Sequence, residues 1–397
     1  MRSIRYQPRN VRETLVELKD TSEHALDLAY AALLSDDAEL AAEVIRLEER
    51  VDYLEYHAQI ALMLAANRIA DAERLVGVFQ VVDTAVGVTH AAGDIARILT
   101  RDIGHPSALR AALPEAPEVV DRAVVADDSP YAGRTLGDID LQVETGVRIV
   151  AIRRDDEWRL SPDAEATVEA GDVLIASGAD AGIETFHERA TGAPLVPTTA
   201  KPTVDDLDAA VDLIVELKTV SEVAVGLAYS AALFDSDAIA TEVRTLEERS
   251  DELEAELETW VIDAVPTAEN PHELRGLLQL ANAAEETCDA AFVLAETVLR
   301  DVELHPVFGE AVKESAEVIT TTTLGPKSEL VGDDVADVEL ETRTGMVILA
   351  VRREGTWTFD PTAGTELAAG DVLVARGPRG GEQRLRELCR GTADSGN

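Results

Sequence analysis

The phrase LEER occurs twice, at Leu47-Glu48-Glu49-Arg50 and at Leu246-Glu247-Glu248-Arg249, 199 residues apart, and each copy is followed by an aspartate, Asp52 or Asp251. Glu48/Asp52 and Glu247/Asp251 are therefore carboxylate pairs four residues apart, and Glu285/Asp289 is a third. On a helix this spacing puts the two Cβ atoms about 5–6 Å from each other, close enough to share a hard cation or to repel. Against that stands a plain reading: the pairs form an acidic, solvated helix flank, with Arg50 and Arg249 available to neutralise them.

A second recurrent feature is basic. Arg153-Arg154 and Arg352-Arg353 end matching apolar runs, VRIVAIRR and MVILAVRR. Arginine forks match phosphate oxygens and carboxylates equally well, so both a ligand phosphate and a neighbouring acid are candidate partners.

Hydrolytic chemistry finds little support. Neither Gly-x-Ser-x-Gly, a P-loop nor His-Glu-x-x-His occurs. A di-iron carboxylate site would need Glu-x-x-His on bundle helices. Glu184/His187 and Glu269/His272 have that spacing, but the first falls in a mixed segment and the second straddles Pro271. GPRGGE, from Gly377, leads into a helix whose N-terminus offers a place for an anion, but its glycines read more simply as a flexible turn. The chain is expected to be a non-enzyme.

The formal charge of −42 is spread along all 397 residues, which argues against nucleic acid as a partner, since phosphates need Lys/Arg patches. Only five lysines are present, at 19, 201, 218, 313 and 327. A dense carboxylate surface poor in lysine suits a cytosol of molar salt, where the Debye length falls to about 3 Å and self-repulsion is screened. Cys288 and Cys389 lack metal-ligand spacing and read as reduced thiols. The N-terminal stretch MRSIRYQPRN has no apolar centre, and no uninterrupted apolar run reaches about 18 residues. The expectation is a cytoplasmic protein without direct membrane insertion.

The elements that must position these residues are written twice. VELKDTSEHALDLAYA from Val16 returns as VELKTVSEVAVGLAYS from Val215, and the 34 residues from Thr145 match those from Thr344 at 16 positions. In the first unit, Leu15, Leu18, Ser22, Ala25, Ala29 and Ala32 recur at steps of three and four. So do Leu40, Val44, Leu47, Val51, Leu54, Ala58 and Ala61, and then Leu75, Val78, Val82, Ala85, Thr89, Ala92 and Ala96. These are the seams of three antiparallel helices. The third is expected to stop at His105-Pro106, and its copy at His305-Pro306, with each histidine placed at a helix C-terminus. After Pro114 and Pro117 come short β-type runs with turn signals at Gly146, Ser161-Pro162 and Gly171-Asp172, closed by a short helix. The spacer TGAPLVPTTAKPT joins the two units. The expected fold is α+β and multidomain, two antiparallel three-helix bundles at 8–112 and 203–311 alternating with small α+β modules at 118–192 and 315–392.

The mixed module, with TGVRIVAIRR, Trp158, Pro162 and EAGDVLIASG, resembles the TrkA C-terminal domain, the RCK-C regulatory module of potassium channels and transporters. The helical part, with LEERVDYLE and LEERSDELE, is similar to one three-helix half of PhoU, a phosphate-signalling regulator whose Glu-x-x-x-Asp motifs bind metals. Together the resemblances imply a tandemly duplicated regulator of cation transport, most readily potassium, of a haloarchaeal type. They imply a membrane transporter or channel as partner, homodimers through the RCK-C modules, and a small ligand such as a cyclic dinucleotide in the shared cleft. Two alternatives remain: a phosphate-signalling adaptor, and a metal-dependent enzyme using the bundle carboxylates. No Gly-x-Gly-x-x-Gly follows a strand, so NAD or ATP sensing through a Rossmann half is not expected.

The metal expectation differs between the copies. Glu285/Asp289 and Glu247/Asp251 each lie one residue past their seams, and counted from the turn near Thr267 they fall level to within about 3 Å in an antiparallel hairpin. In the first unit the matching positions are Val86 and His90, leaving Glu48 and Asp52 with His90 as a nitrogen donor. A divalent or ferric ion is expected in the second bundle, with the first weak or empty.

Overall fold

A computed structural model describes residues 8–390 except 66–68, 102, 105–118, 140, 142–144, 156, 161, 179, 196–206, 269, 337, 339, 360 and 362–363. His105-Pro106, Pro114, Pro117, Ser161 and most of the spacer between the units lie outside the described residues.

The first bundle consists of α1 (Val11–Ser35), α2 (Ala38–Ala65) and α3 (Ile69–Thr100). Asn10 caps α1 by accepting the Arg12 N–H at 3.0 Å, and Asp36 closes it in the left-handed region at φ 53°. Asp37 then starts α2, its Oδ1 accepting the Leu40 N–H at 3.0 Å. The expected seams are the buried ones: Leu15, Leu18, Ser22 and Ala25 on α1, Val44, Val51 and Leu54 on α2, Val78, Val82 and Ala85 on α3.

A first module follows, with β1 (Val119–Val124), β2 (Arg134–Thr135), α4 (Leu136–Ile139), β3 (Arg148–Arg154), β4 (Glu157–Leu160), β5 (Thr167–Val168), β6 (Val173–Gly178) and α5 (Asp180–Thr191). The second unit repeats the plan with α6 (Leu207–Phe234), α7 (Asp237–Ala264), α8 (Leu274–Leu299) and α9 (Val307–Glu314). Its module holds β7 (Glu317–Thr323), α10 (Leu340–Thr344), β8 (Val347–Arg353), β9 (Thr356–Phe359), β10 (Val372–Pro378) and α11 (Arg379–Arg390). Both four-stranded sheets are antiparallel, in the orders β1-β6-β3-β4 and β7-β10-β8-β9. The chain is an α+β multidomain protein.

The two bundles pack into one six-helix body through α3 and α8. Gly87 makes the approach possible: a Cβ there would lie 2.7 Å from the Ala290 Cβ, and Thr84 Oγ1 donates to the Ala290 carbonyl at 2.8 Å. Gln279 Nε2 donates to the Asp94 carbonyl at 2.6 Å, and the Gly276 N–H to the Gly104 carbonyl at 2.9 Å. The stretch Arg74–Thr100 is long and apolar enough to cross a membrane by length and composition, and 67% of its most apolar window is buried within the protein.

Each sheet has two apolar faces. One meets its own closing helix, with Phe186 and Ile183 of α5 or Leu385 and Cys389 of α11 in separate small cores. The other joins the bundle core through Val150, Ala151 and Ile175, or Leu349, Ala350 and Val374. Pairing with the neighbouring strand skips one residue in each copy, Val150 and Leu349, and both are only 2% exposed. A bulge re-aims a side chain, and here it drives both residues into the helices; Leu349 Cδ1 lies 3.0 Å from where a Cβ on Gly226 would stand.

The GPRGGE segment is not a free turn: Gly377 and Pro378 end β10, and Arg379 opens α11 with its guanidinium donating to the Lys313 and Ser315 carbonyls. His305 takes a capping role at the start of α9, its Nδ1 accepting the Val307 N–H at 3.2 Å.

Candidate functional site

The acidic pairs behave differently in the two bundles. In the first, Arg97 Nη2 donates to Glu48 Oε2 at 2.6 Å, and His90 Nε2 lies 3.0 Å from Asp52 Oδ1. Neither Arg50 nor Arg249 is bound to the pair in its own phrase. Arg50 reaches Glu17 and lies over the Tyr53 ring at 5.4 Å, while Arg249 donates to Glu216 at 2.8 Å. The neutralising residue is Arg97, which sequence reading missed because it sits on a different helix.

In the second bundle Glu247, Asp251, Glu285 and Asp289 act on one another across the α7/α8 hairpin. Burial, then Asp289, Glu254, Asp251 and Glu286, push the Glu285 carboxyl up to about 8. Asp289 is raised as well, by burial first and then by Asp251, and Glu247 by burial, Asp251 and Asp289. The raised carboxyls favour their protonated forms, and contact with the Glu285 carboxyl partly offsets the rise at Asp289. Among the described residues no group of three or more His, Cys, Asp or Glu side chains converges as metal ligands do.

In the modules, one arginine of each pair has a fixed structural duty. Arg154 forks onto Asp172, Nε to Oδ1 at 2.8 Å and Nη2 to Oδ2 at 2.7 Å, and Arg353 does the same to Asp371 at 2.7 and 2.6 Å. Both aspartates are buried and hold the Gly-Asp turn, accepting the Glu169 or Ala368 N–H at 2.8 Å. Gly171 and Gly370 precede them at φ 89° and 92°, a region that disfavours side chains. Arg153 and Arg352 instead stack over Trp158 and Trp357 at 5.5 and 5.3 Å, and Arg153 also reaches Glu39 of α2 at 2.7 Å. Of the Glu-x-x-His spacings, His187 is engaged with Asp121, Nδ1 to Oδ2 at 2.7 Å.

A different site is assembled where both modules meet both bundles. A largely enclosed cavity is lined by Glu23 and Asp27 of α1, Glu222 of α6, Arg148 and Ser177 of module 1, and Glu317, Glu341 and Arg376 of module 2. Arg148 binds Asp27 at 2.5 Å and lies 3.7 Å from Glu317, which Arg376 approaches at 3.6 Å. The two arginines hold the Glu317 carboxyl below its ordinary range despite burial. Lys19 donates to Glu23 at 2.6 Å and to the Glu317 carbonyl at 3.3 Å, and Asp20 accepts the Ala316 N–H at 2.9 Å. Lys218 binds Glu222 at 2.7 Å. The signal for this site was present in the sequence: two of five lysines stand at matching positions in VELK, each four residues before a glutamate.

Comparison with known proteins agrees with this architecture. The TrkA-C domain family matches residues 122–191 and again 319–390, and the PhoU domain family matches residues 15–99. The chain is a PhoU and tandem TrkA-C protein. Ktr system potassium uptake protein C of Bacillus subtilis (strain 168) is 37% identical over 65 residues, which is 16% of this chain and 29% of that protein. The chain thus spans under a third of the length of this curated relative. Among solved structures, the RCK_C domain dimer of S. agalactiae BusR in complex with c-di-AMP is 25% identical, covering 19% of this chain and 99% of that one at a TM-score of 0.18. The GsuK channel bound to NAD is 13% identical, covering 77% and 64% at a TM-score of 0.19.

Proposed function

We propose that this protein is a non-enzymatic, cytoplasmic regulator of potassium transport that acts on a membrane transporter or channel. The observation that carries this reading is the pair of TrkA-C domains, supported by the identity shared with a potassium uptake protein. The fold supplies a means of coupling. Both sheets are welded to a single helical body by the bulged residues Val150 and Leu349, and the modules touch each other through Arg148 and Glu317. A ligand that changes the spacing of the modules would therefore load the bundle, and a rigid bundle transmits that load to whatever it is docked on.

Two ligand classes belong to this reading. A cyclic dinucleotide is the candidate for the modules, with Arg352 as its exposed arginine, since Arg154 and Arg353 fork onto aspartates and Arg153 is half-buried and paired with Glu39. A divalent or ferric ion is the candidate for Glu247, Asp251, Glu285 and Asp289, which would have to draw closer together than they stand here to ligate it, with Glu48 and Asp52 the weaker pair because Arg97 and His90 already engage them. Homodimers through the modules would use surfaces away from the bundle, because one face of each sheet is already covered by it.

The PhoU match favours one second reading, a phosphate-signalling adaptor. Deleting the gene in its own host and following uptake of rubidium and of phosphate separates the two. Changed rubidium uptake with unchanged phosphate uptake supports the proposal; the reverse pattern selects the adaptor. Turnover of a phosphoester by the purified protein would refute the non-enzyme statement.

A further inference from the structure

The junction cavity contains a mismatch between charge and hydrogen bonding. The Glu23 side chain is 10% exposed, and its Oε2 is taken by Lys19 at 2.6 Å. Its Oε1 lies buried with no hydrogen-bond donor from the described residues. Such an atom costs the free energy of its lost hydration unless something replaces the water it gave up. Its counterpart in the duplicated unit, Glu222, has both oxygens on Lys218, at 2.8 and 2.7 Å.

Lys19 cannot repair the mismatch. Its ammonium is shared between Glu23 Oε2, the Glu317 carbonyl and the face of the Tyr229 ring, 5.3 Å away. Arg148 is drawn to Asp27 and Glu317, and Arg376 to Glu317. On the cavity wall Glu23, Asp27, Glu222, Glu317 and Glu341 outnumber Arg148 and Arg376, with Lys19 and Lys218 behind them, by five to four, and burial, which raises the Glu23 carboxyl, makes a proton the competitor of any ion there. An uncompensated negative charge in an enclosed space attracts one positive charge.

The size of the space limits what that charge can be. The cavity measures about 70 Å³, where one water needs roughly 10–15 Å³ and a drug-sized ligand about 300 Å³ or more. Divalent and transition metals want several converging carboxylates or nitrogens, and no three such groups converge among the described residues. A monovalent ion is less demanding and accepts one carboxylate oxygen together with backbone carbonyls and water. Gly146, Gly345 and Gly377 leave backbone on the wall, and Ser177 adds a hydroxyl.

We infer that the junction cavity binds one small monovalent cation of the alkali class, with Glu23 Oε1 as its anionic ligand. The inference rests on this cavity alone and holds whichever transporter the protein serves. Because residues from α1, α6 and both modules surround the ion, its binding favours the arrangement in which the modules meet through Arg148 and Glu317.

The test is melting of the full chain at one fixed, high ionic strength in KCl, NaCl or tetramethylammonium chloride, for the wild type and for Glu23→Gln. The expected result is a melting temperature higher by about 2 °C or more in the alkali salts, with that advantage lost in Glu23→Gln and kept in Asp263→Asn, an exposed position of α7 outside the cavity. Equal melting in all three salts overturns the inference, as does an alkali advantage that survives Glu23→Gln and therefore belongs to the acidic surface. Should Glu23→Gln fail to fold, thallium-205 NMR of the wild type decides. A bound resonance displaced by potassium but not by tetramethylammonium supports the site, and its absence overturns it.

Discussion

Lys19 of the first bundle lies over the ring of Tyr229 in the second at 5.3 Å, and the favour is returned by Lys218 over Tyr30 at 5.2 Å. The two copies of one phrase thus exchange partners between α1 and α6. Each lysine also holds the glutamate four residues on, and burial plus the neighbouring carboxylates drive both tyrosine hydroxyls above their ordinary range. Removing one member of a buried ion pair strands the other, at a cost of about 3–5 kcal/mol, whereas replacing both by apolar groups is often nearly neutral. Lys19→Met is therefore expected to destabilise the chain by about that amount, and Lys19→Met/Glu23→Leu to recover most of it. Denaturant titration of the three proteins in molar KCl measures the difference.

The arginine forks give a second expectation. Asp371 is held below its ordinary range chiefly by its hydrogen bonds from Arg353. A depressed carboxyl contributes stability that is complete above its unfolded value, about 4, and is lost as the pH falls below it. Asp371→Asn removes the ion pair and leaves an amide against the guanidinium, which costs about 1.5–3 kcal/mol by the usual worth of a charged hydrogen bond. The variant should also show a shallower loss of stability between pH 4 and pH 2, followed by melting temperature.

Much of this fold could be read in advance, because heptad-like spacing and repeated turns are local signals. Leu18, Ser22 and Ala25 face inward because three- and four-residue steps return to one side of a helix, and no tertiary knowledge is needed to see it. Trp158 and its copy Trp357 were legible as repeat markers, but their duty under Arg153 and Arg352 was not, since it follows from the register of the β3/β4 and β8/β9 hairpins, which sets each arginine opposite its tryptophan. The junction cavity was legible only in its repeated lysines, Lys19 and Lys218. Arg148 and Arg376 are not repeated residues: their counterparts are Val347 and Ser177. Each sits on the same cross-strand pair of its module, but on opposite strands, so a search for conserved repeat positions passes over both.

The acidic surface predicts a steep salt response. With a formal charge of −42, self-repulsion acts over about 10 Å at 0.1 M salt and about 3 Å at 1 M. Melting temperature should climb between dilute buffer and molar KCl. A flat profile would remove salt adaptation as the reason for the scarcity of lysine.

The second-bundle hairpin yields the last expectation. Glu285 is pushed up to about 8 by burial first and by Asp289 next, so the folded chain holds a proton there that the unfolded chain releases near its ordinary value of 4.5. Stability from this group is complete below that ordinary value and declines as the pH rises through about 8, the opposite slope to Asp371. Glu285→Gln should flatten the decline, because the amide stays neutral and has no proton to lose. A cation bound among Glu247, Asp251, Glu285 and Asp289 would replace that proton, so at pH 8 added manganese or ferric ion should raise the melting temperature while releasing protons to the buffer. Calorimetry of the full chain in two buffers of different ionisation enthalpy reads both quantities at once. Glu285→Ala/Asp289→Ala should abolish binding and Glu48→Ala/Asp52→Ala should leave it nearly intact, since Arg97 and His90 already engage that pair. Equal losses from the two double variants, or binding with no proton released, would leave the carboxylates of LEER as an acidic flank held together by protons and salt.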